Sequence, residues 1–218
     1  MDKNNSNNNE INTNIDNMYK VVFIIGAPGA GKNTLCDLIV SNYNNLKHFG
    51  AGDLLREETK KESDIGKEIA SIINKGNIVP VKITLSLIKA KMDALIKSNP
   101  NKDMIFLIDG YPRNEDNITG WKEYFDKSND KSCKILGVIN LNCSVETCYK
   151  RLCNRGLSSG RKDDDKEVIK RRFDVFEKES KIVVDLMKSS TEILTISSDN
   201  SPEEVYKSVV EFLNIVTK

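Results

Sequence analysis

The stretch GAPGAGKNT, residues 26–34, decides the fold. It follows the apolar, β-branched run KVVFII of residues 20–25 and precedes LCDLIV of residues 35–40, which has helical spacing. Glycines let the backbone of such a loop turn its N–H groups inward, and the start of the next helix adds a partial positive charge. Because Lys32 can reach terminal phosphates, strand, loop and helix together predict a phosphate-binding loop. Their agreement disfavours the alternative, a glycine-rich turn with a surface lysine.

Asn33 stands where most phosphate-binding loops carry Ser or Thr, whose hydroxyl binds magnesium. An amide cannot supply that hydroxyl, and Thr34 lies one residue further round the helix. The sequence therefore predicts no direct protein ligand for the metal, which phosphate and water would hold instead. A G-protein is disfavoured because the sequence has no NKxD motif for reading guanine; NKD at residues 101–103 has the wrong spacing.

Apolar runs rich in β-branched residues recur along the chain, and each is followed by a segment with helical spacing. They are KVVFIIG (20–26), DMIFLIDG (103–110), KILGVINLNC (134–143) and TEILTIS (191–197), with NLKHFG (45–50) as a candidate fifth strand. This alternation predicts an α/β fold, a parallel sheet wrapped by helices. About fifty residues separate NLKHFG from DMIFLIDG, too many for a single crossover, so we expect a helical insertion between them. Its helices begin near Asp53, Asp64 and Pro80, and a second, polar insertion is RGLSSGRKDDD (155–165).

The composition narrows the functional classes. Lys plus Arg total 33 and Asp plus Glu total 32, and this balance gives no reason to expect a nucleic-acid partner. No apolar run approaches the roughly 20 residues that cross a bilayer. The five cysteines lack CxxC spacing, so we expect reduced thiols in a cytoplasmic protein, with the nucleus as a second compartment. Residues 1–18 are asparagine-rich with almost nothing to bury, which predicts a disordered tail.

Arginines outside the loop are candidates for holding phosphate, because the planar guanidinium pairs with two phosphate oxygens and keeps its proton. They are Arg56, Arg113, Arg151, Arg155, Arg161 and Arg172. On a helical wheel of the segment after SGRKDDD, Arg172 falls inside the apolar arc and Arg171 points away. A guanidinium on that side needs an anion, and both a phosphate and a carboxylate remain open. Arg151 and Arg155 mark either a solvated helix edge or the hinge of a basic flap.

Three aspartates are candidates for contacting magnesium-bound water. Asp109 ends the run MIFLID, at the carboxyl end where open α/β sheets bind ligands, and helix capping is its alternative role. Asp163 and Asp164, beside Arg161, either serve the same metal or begin the following helix.

Five motifs occur in the order and approximate spacing of nucleoside monophosphate kinases, and the chain resembles in particular the eukaryotic UMP-CMP kinases. They are GAPGAGKNT, GAGDLLR, GNIVPVKIT, FLIDGYPRNEDNITGW and RGLSSGRKDD, and the resemblance covers residues 20–217. It implies a P-loop NTPase-type five-stranded parallel sheet with flanking helices in a kinase domain of residues 19–218. It also implies a helical NMP-binding insertion at about residues 50–79 and a short lid at about 154–164. Such kinases typically have glycine at the place of Asn33, so the asparagine side chain is this chain's departure.

The resemblance implies reversible transfer of the γ-phosphoryl group of ATP-Mg to a nucleoside monophosphate, with Mg2+ as the cofactor. By motif position, the ATP-binding residues would be Gly29, Ala30, Gly31, Lys32, Asn33, Thr34, Arg155 and Asn200. The NMP-binding residues would be Ala51, Gly52, Arg56, Asn77, Ile78, Val79, Gly110, Arg113, Asn117, Arg161 and Arg172. The catalytic residues would be Lys32, Arg113, Arg155, Arg161, Arg172 and Asp109, and magnesium would contact Asp109 and Asp163 or Asp164 through water. A cis Tyr111–Pro112 peptide bond is also implied.

The choice of acceptor rests on fewer residues. Many adenylate kinases have Thr where this sequence has Ala51 and Gln where it has Asn117, and PRNEDN (112–117) with IVPVKIT (78–84) favours the pyrimidine branch. An amide offers both a donor and an acceptor, which suits the O4 of uracil and the N4 amino group of cytosine. We therefore expect a monomer that uses UMP, CMP and dCMP, with AMP poor and no nucleic-acid or membrane partner.

Two alternatives stay open from the sequence. One is adenylate kinase proper, with AMP as the acceptor. The other is a nucleotide-binding scaffold that has lost catalysis, with Asn33 as the lesion. Lys32 and the arginines argue against the scaffold, because a binding module has no need of cations for a transition state.

Overall fold

The computed structural model describes residues 18–100, 103–126 and 132–218, where strands and helices alternate as predicted. The strands are β1 (Met18–Gly26), β2 (Leu46–Gly50), β3 (Ile105–Asp109), β4 (Ser132–Asn142) and β5 (Ile193–Ser197). The helices are α1 (Lys32–Asn42), α2 (Ala51–Thr59), α3 (Asp64–Asn74), α4 (Val81–Ser98), α5 (Glu115–Asp126), α6 (Val145–Ser159), α7 (Lys166–Val175), α8 (Val183–Met187) and α9 (Pro202–Val216). The predicted tail, residues 1–18, lies outside the described residues except for Met18, which begins β1.

The five strands of the described chain form one parallel sheet in the order β2-β3-β1-β4-β5, which confirms the predicted fold class. The strands β2 and β3 lie on one side of β1, and the later strands β4 and β5 lie on the other. The crevice at the carboxyl end of β1 is therefore the point where the winding reverses, the usual ligand site of open α/β sheets. In register, Ile24 lies beside Asp109 of β3 and Ile139 of β4, so the ends of three strands meet at this edge.

The core has one layer on each face of the sheet, because β1 is buried on both faces. Phe23 and its neighbours on one face pack with α4 and α5, where Phe23 meets Trp121 edge-on at 4.8 Å between ring centroids. Ile24 and its neighbours on the other face pack with α1 and α9, through residues such as Ile39 and Val209. A continuous apolar run, rather than an alternating one, is the expected pattern for such a strand.

The segment predicted as an insertion, residues 50–79, consists of α2, α3 and their connections. A small apolar cluster of Leu55, Ile69 and Val79 holds it together apart from the main core. Ser63 caps α3 by accepting a hydrogen bond from the backbone of Gly66 at 3.0 Å. The helix starts predicted near Asp53, Asp64 and Pro80 fall within two residues of the observed ones.

The polar segment RGLSSGRKDDD begins inside a helix, since α6 runs on to Ser159. Gly160, with φ 62°, ends that helix, and a short 3-10 helix follows at Lys162–Asp164. The segment after SGRKDDD, treated as one helix on the helical wheel, is interrupted, because the π-helical segment Phe176–Ser180 separates α7 from α8. No helix in the described part of the chain is long and apolar enough to cross a membrane.

Candidate active site

The loop between β1 and α1 has a backbone that only glycine permits at its centre. Gly29 adopts φ 86°, in the left-handed region, and a Cβ atom there would lie 2.5 Å from the carbonyl oxygen of Cys148 on α6. Gly31, also with positive φ, immediately precedes the first residue of α1, Lys32. The loop is thus pressed against α6 and leads directly into a helix N-terminus, the arrangement that binds phosphate.

Lys32 folds its side chain back over the loop. Its Nζ donates hydrogen bonds to the carbonyl oxygens of Gly26 and Ala27, each at 2.9 Å. Burial lowers the pKa of Lys32 to about 8, with Arg113 and Arg172 acting in the same direction and Asp109 opposing them. An anion placed beside this ammonium group would favour its charged form, which is the electrostatic property of a phosphate site.

Asp109 ends β3 with its side chain in the same region and is 5% exposed. Its Oδ2 lies 2.8 Å from Nε2 of His48 on β2, within hydrogen-bonding distance. Ligand-type atoms of Cys36, His48 and Asp109 lie within 4.8 Å of one another. Burial raises the pKa of Cys36 well above its ordinary value, which disfavours the thiolate that a metal would bind. We interpret His48 as a support that orients Asp109.

Arg56 of α2 and Arg113, which precedes α5, converge at Gly52. A Cβ atom at Gly52 would lie 3.3 Å from nitrogens of both guanidinium groups. Arg113 follows the cis Tyr111–Pro112 peptide bond, and its Nε donates to the carbonyl oxygen of Gly110 at 2.9 Å. Burial first, and the charge of Arg56 second, lower the pKa of Arg113. Arg56 already has carboxylates beside it, Asp53 at 2.6 Å and Asp163 at 3.7 Å. The buried charge of Arg113 next to it makes the space between the two guanidinium groups favourable for a further anion.

Arg155 of α6 and Arg172 of α7 are paired with the two aspartates of the 3-10 helix. Arg155 contacts both carboxylate oxygens of Asp164, and NH1 of Arg172 lies 2.9 Å from Oδ2 of Asp163. Burial lowers the pKa of Arg172 to about 10 even though Asp163 opposes the shift. Of the two partners left open for Arg172, the structure shows the carboxylate, and a phosphate stays a prediction.

A single cleft of about 1340 Å3 brings most of the predicted site together. The predicted residues on its walls are Gly29, Ala30, Gly31, Lys32, Asn33, Thr34, Gly52, Arg56, Ile78, Asp109, Gly110, Arg113, Arg155, Arg161, Arg172 and Asn200. Residues that are far apart in the sequence, from Gly29 to Asn200, therefore face one volume at the carboxyl edge of the sheet.

Four predicted acceptor residues are not on the cleft wall: Ala51, Asn77, Val79 and Asn117. Ala51 and Val79 are buried in apolar clusters, and Asn77 is exposed. Asn117 is 3% exposed, and its Oδ1 accepts a hydrogen bond from the backbone N–H of Arg113 at 3.1 Å. In this structure Asn117 orients the segment that carries Arg113, and contact of its amide with a base stays a prediction.

The amino-acid sequence from residue 24 to residue 192 matches the family model of adenylate kinase. The chain belongs to the adenylate kinase family. UMP-CMP kinase from Homo sapiens is 40% identical over 195 residues, which cover 89% of this chain and 96% of that protein. The UMP-CMP kinase of Sus scrofa is 40% identical over 196 residues, with 89% and 97% covered, and that of Danio rerio is 40% identical over 195 residues, with 89% and 96% covered. The resemblance predicted from the five motifs is thereby confirmed.

Two residues of this adenylate kinase family site escaped the sequence analysis. Asp53, treated there only as a helix start, accepts hydrogen bonds from Asn33, Arg56 and Arg161, at 3.1, 2.6 and 3.0 Å. Its spacing of three residues before Arg56 in one helix was a usable signal. His48 is the single histidine of the chain, but nothing in the sequence indicates that β2 lies beside β3 and so brings it to Asp109.

Proposed function

We propose that this member of the adenylate kinase family transfers the γ-phosphoryl group of ATP-Mg to UMP, CMP or dCMP. An oxygen of the acceptor's phosphate attacks the γ-phosphorus, the bond to the β–γ bridging oxygen breaks, and ADP and the nucleoside diphosphate result. The carrying observation is that Lys32 and six arginines line one cleft beside the phosphate-binding loop. Such a density of fixed cations suits a reaction that needs positioning and charge stabilisation more than covalent chemistry.

The donor's phosphates would lie over the loop from Gly29 to Thr34. The N-terminus of α1 follows the loop directly and would supply backbone N–H groups, and Lys32 would exchange its two carbonyl partners for the β and γ phosphates. Arg155, on the helix that touches Gly29, would lie on the adenine side. Asn200, on the same cleft wall, would complete the ATP site.

The acceptor's phosphate would bind between Arg56 and Arg113, whose guanidinium groups already converge over Gly52. Arg155, Arg161 and Arg172 would then surround the transferring group. In the structure each of these three is paired with an aspartate, so a phosphate would replace a carboxylate rather than meet a bare cation. Completing the cation set only when both nucleotides are present also keeps water from acting as the acceptor.

The residues at the strand ends fit the magnesium that accompanies ATP. Asp109 supplies a buried carboxylate on the cleft wall, and oxygen ligands are the ones magnesium prefers. When bound, the ion would neutralise charge on the β and γ phosphates. Asp109 would hold it through water. Asp163 or Asp164 would be the second carboxylate only after release from Arg172 or Arg155, since neither aspartate lies on the cleft wall. His48 fixes one oxygen of Asp109, which leaves the other to accept from water.

The pyrimidine acceptor is supported by the UMP-CMP kinases that are 40% identical over nearly the whole chain. Steady-state kcat/KM for UMP, CMP, dCMP and AMP with ATP-Mg tests it. We expect UMP and CMP to be the best acceptors and AMP to be poor. AMP equal to or better than CMP would replace the proposal by adenylate kinase activity, and no turnover with any of the four would favour a nucleotide-binding scaffold.

A further inference from the structure

The side chain of Asn33 points away from the phosphate-binding loop and contacts α2. It follows Lys32 in the first turn of α1, yet its Nδ2 donates a hydrogen bond to Oδ2 of Asp53 on α2, at 3.1 Å. The loop belongs to the donor site and α2 to the acceptor side of the cleft. The Asn33–Asp53 contact therefore joins the two nucleotide sites through side chains that are partly buried.

The other oxygen of Asp53 holds two arginines. Oδ1 accepts from Arg56 at 2.6 Å and from Arg161 at 3.0 Å. Burial first, and then the charge of Arg56, lower the pKa of Arg161, while Asp53 opposes the shift. The Asp53 carboxylate is thus the counter-charge that lets two mutually repelling guanidinium groups point at one place.

The two oxygens of Asp53 have separate tasks, and each depends on the rotation of one carboxylate group. If Oδ2 loses its partner, the group can turn about its terminal torsion, which is broad for aspartate. Oδ1 then no longer faces both arginines. A neutral amide suits the task of holding Oδ2, because it donates without adding a cation to a crowded site.

We propose that Asn33, although it lies in the donor loop, is a positioning residue for the acceptor's phosphate, acting through Asp53 on Arg56 and Arg161. This inference rests on the proposed phosphoryl transfer. It assigns to the side chain at position 33 an effect on the acceptor's KM rather than on the KM for ATP.

A double-mutant cycle between Asn33→Ala and Asp53→Asn tests this assignment. We expect Asn33→Ala to raise the KM for UMP roughly three- to tenfold and to change the KM for ATP less than about twofold, as suits the loss of one partly exposed hydrogen bond to a charged group. In the Asp53→Asn background the same substitution should add less than about twofold, because the two act as a unit. Asn42→Ala at the end of α1 and Glu57→Gln on the exposed face of α2 are matched controls that should leave both KM values unchanged.

Calorimetric binding of UMP, CMP and AMP to the same variants separates this inference from the proposed function. A wild-type protein that binds a monophosphate but transfers no phosphoryl group overturns the proposed function. Normal wild-type turnover with an unchanged UMP KM in Asn33→Ala, a raised ATP KM alone, or fully multiplicative effects in the double variant overturns this inference. A wild type that binds none of the three overturns both.

Discussion

Arg155 and Asp164 form a two-point ion pair, with Nε 2.8 Å and NH2 2.6 Å from the two oxygens of one carboxylate. The Asp164 side chain is fully buried, and Arg155 is about one-third exposed. Burial alone would raise the pKa of Asp164, but the hydrogen bonds and charge of Arg155 outweigh it, so the pKa lies below its ordinary value. The carboxylate is therefore ionised in the folded protein at all but strongly acidic pH.

Asp164→Asn should lower the free energy of unfolding at pH 7 by about 2 kcal/mol, because Arg155 and Arg172 lose a counter-charge. A lowered carboxyl pKa stabilises the fold above the unfolded-state value, near pH 4, and this contribution is lost as the pH falls through the folded-state value. The difference between variant and wild type should therefore shrink in acid. Urea unfolding from pH 7 to pH 3 measures it.

Asp165→Asn is the matched control for that substitution. Asp165 caps α7 by accepting a hydrogen bond from the backbone of Glu167, a task that asparagine performs equally well. We expect a change below about 0.5 kcal/mol. Equal losses in the two variants would contradict a specific role for the Arg155–Asp164 pair.

Lys32→Met should lower the activity of the protein while raising its stability at pH 7. Removing the ammonium group that we propose holds the phosphates of ATP should reduce kcat/KM for ATP by about 10²-fold or more. Because the pKa of Lys32 is lowered from 10.5 to about 8, the folded state holds fewer protons than the unfolded state between these values, and wild-type stability should rise with pH across this window. The variant should lose this rise and be more stable than wild type at pH 7, by about 1–2 kcal/mol.

The control for this lysine is Lys207→Met on the exposed face of α9. It should leave turnover and the pH profile of urea unfolding unchanged. A Lys32→Met protein that is less stable than wild type at pH 7 would show that its bonds to Gly26 and Ala27 outweigh the cost of burying the charge.

Arg161→Ala should lower kcat by about 10²-fold or more, as expected for an arginine that stabilises a transferring phosphoryl group. Folding should be intact, since its ion pair with Asp53 is partly exposed and such pairs contribute little. Arg171→Ala is the control, because Arg171 is exposed on α7. Near-wild-type turnover of Arg161→Ala, measured beside Arg171→Ala, would remove Arg161 from the mechanism.

Gly29 and Gly160 both have positive φ, at 86° and 62°, but only one lacks room for a side chain. A Cβ atom at Gly160 would meet nothing within 4 Å, so Gly160→Ala should cost about 1 kcal/mol from backbone conformation alone. Gly29→Ala adds a clash with the Cys148 carbonyl group and should cost about 3 kcal/mol or more. Thermal unfolding of both variants measures the contrast, and similar costs would contradict the close packing of the loop on α6.

The parallel sheet and the phosphate-binding loop could be predicted because their signals are local. A strand, a glycine-rich turn and a helix are contiguous at residues 20–40, and each pattern supports the interpretation of its neighbour. The arginines could also be found, since Arg172 on an apolar helix face is costly and so conspicuous. What each arginine contacts could not be predicted, because Asp163 and Asp164 come from a turn whose geometry depends on how α6 ends.

The role of Asn117 shows where sequence reasoning reached its limit. Its residue type suggested contact with a base, whereas its Oδ1 is engaged by the backbone of Arg113 in the structure. Residue type gives a side chain's hydrogen-bonding capacity, and only tertiary packing decides which partner uses it. Asp53 shows the same limit in reverse: its three partners come from α1, from its own helix and from the residue after Gly160.

The end of α6 separates two arginines of the cleft, Arg155 inside the helix and Arg161 after it. This helix touches the phosphate-binding loop at Cys148 and carries Arg155 seven residues later, about 10 Å further along the helix axis. Arg161 lies beyond Gly160, so rotation of the backbone at that glycine moves Arg161 and leaves Arg155 in place. The Arg155–Asp164 ion pair joins two residues that lie on either side of the same glycine in the sequence. A side-chain contact between the residues on either side of Gly160 therefore restrains rotation at that glycine.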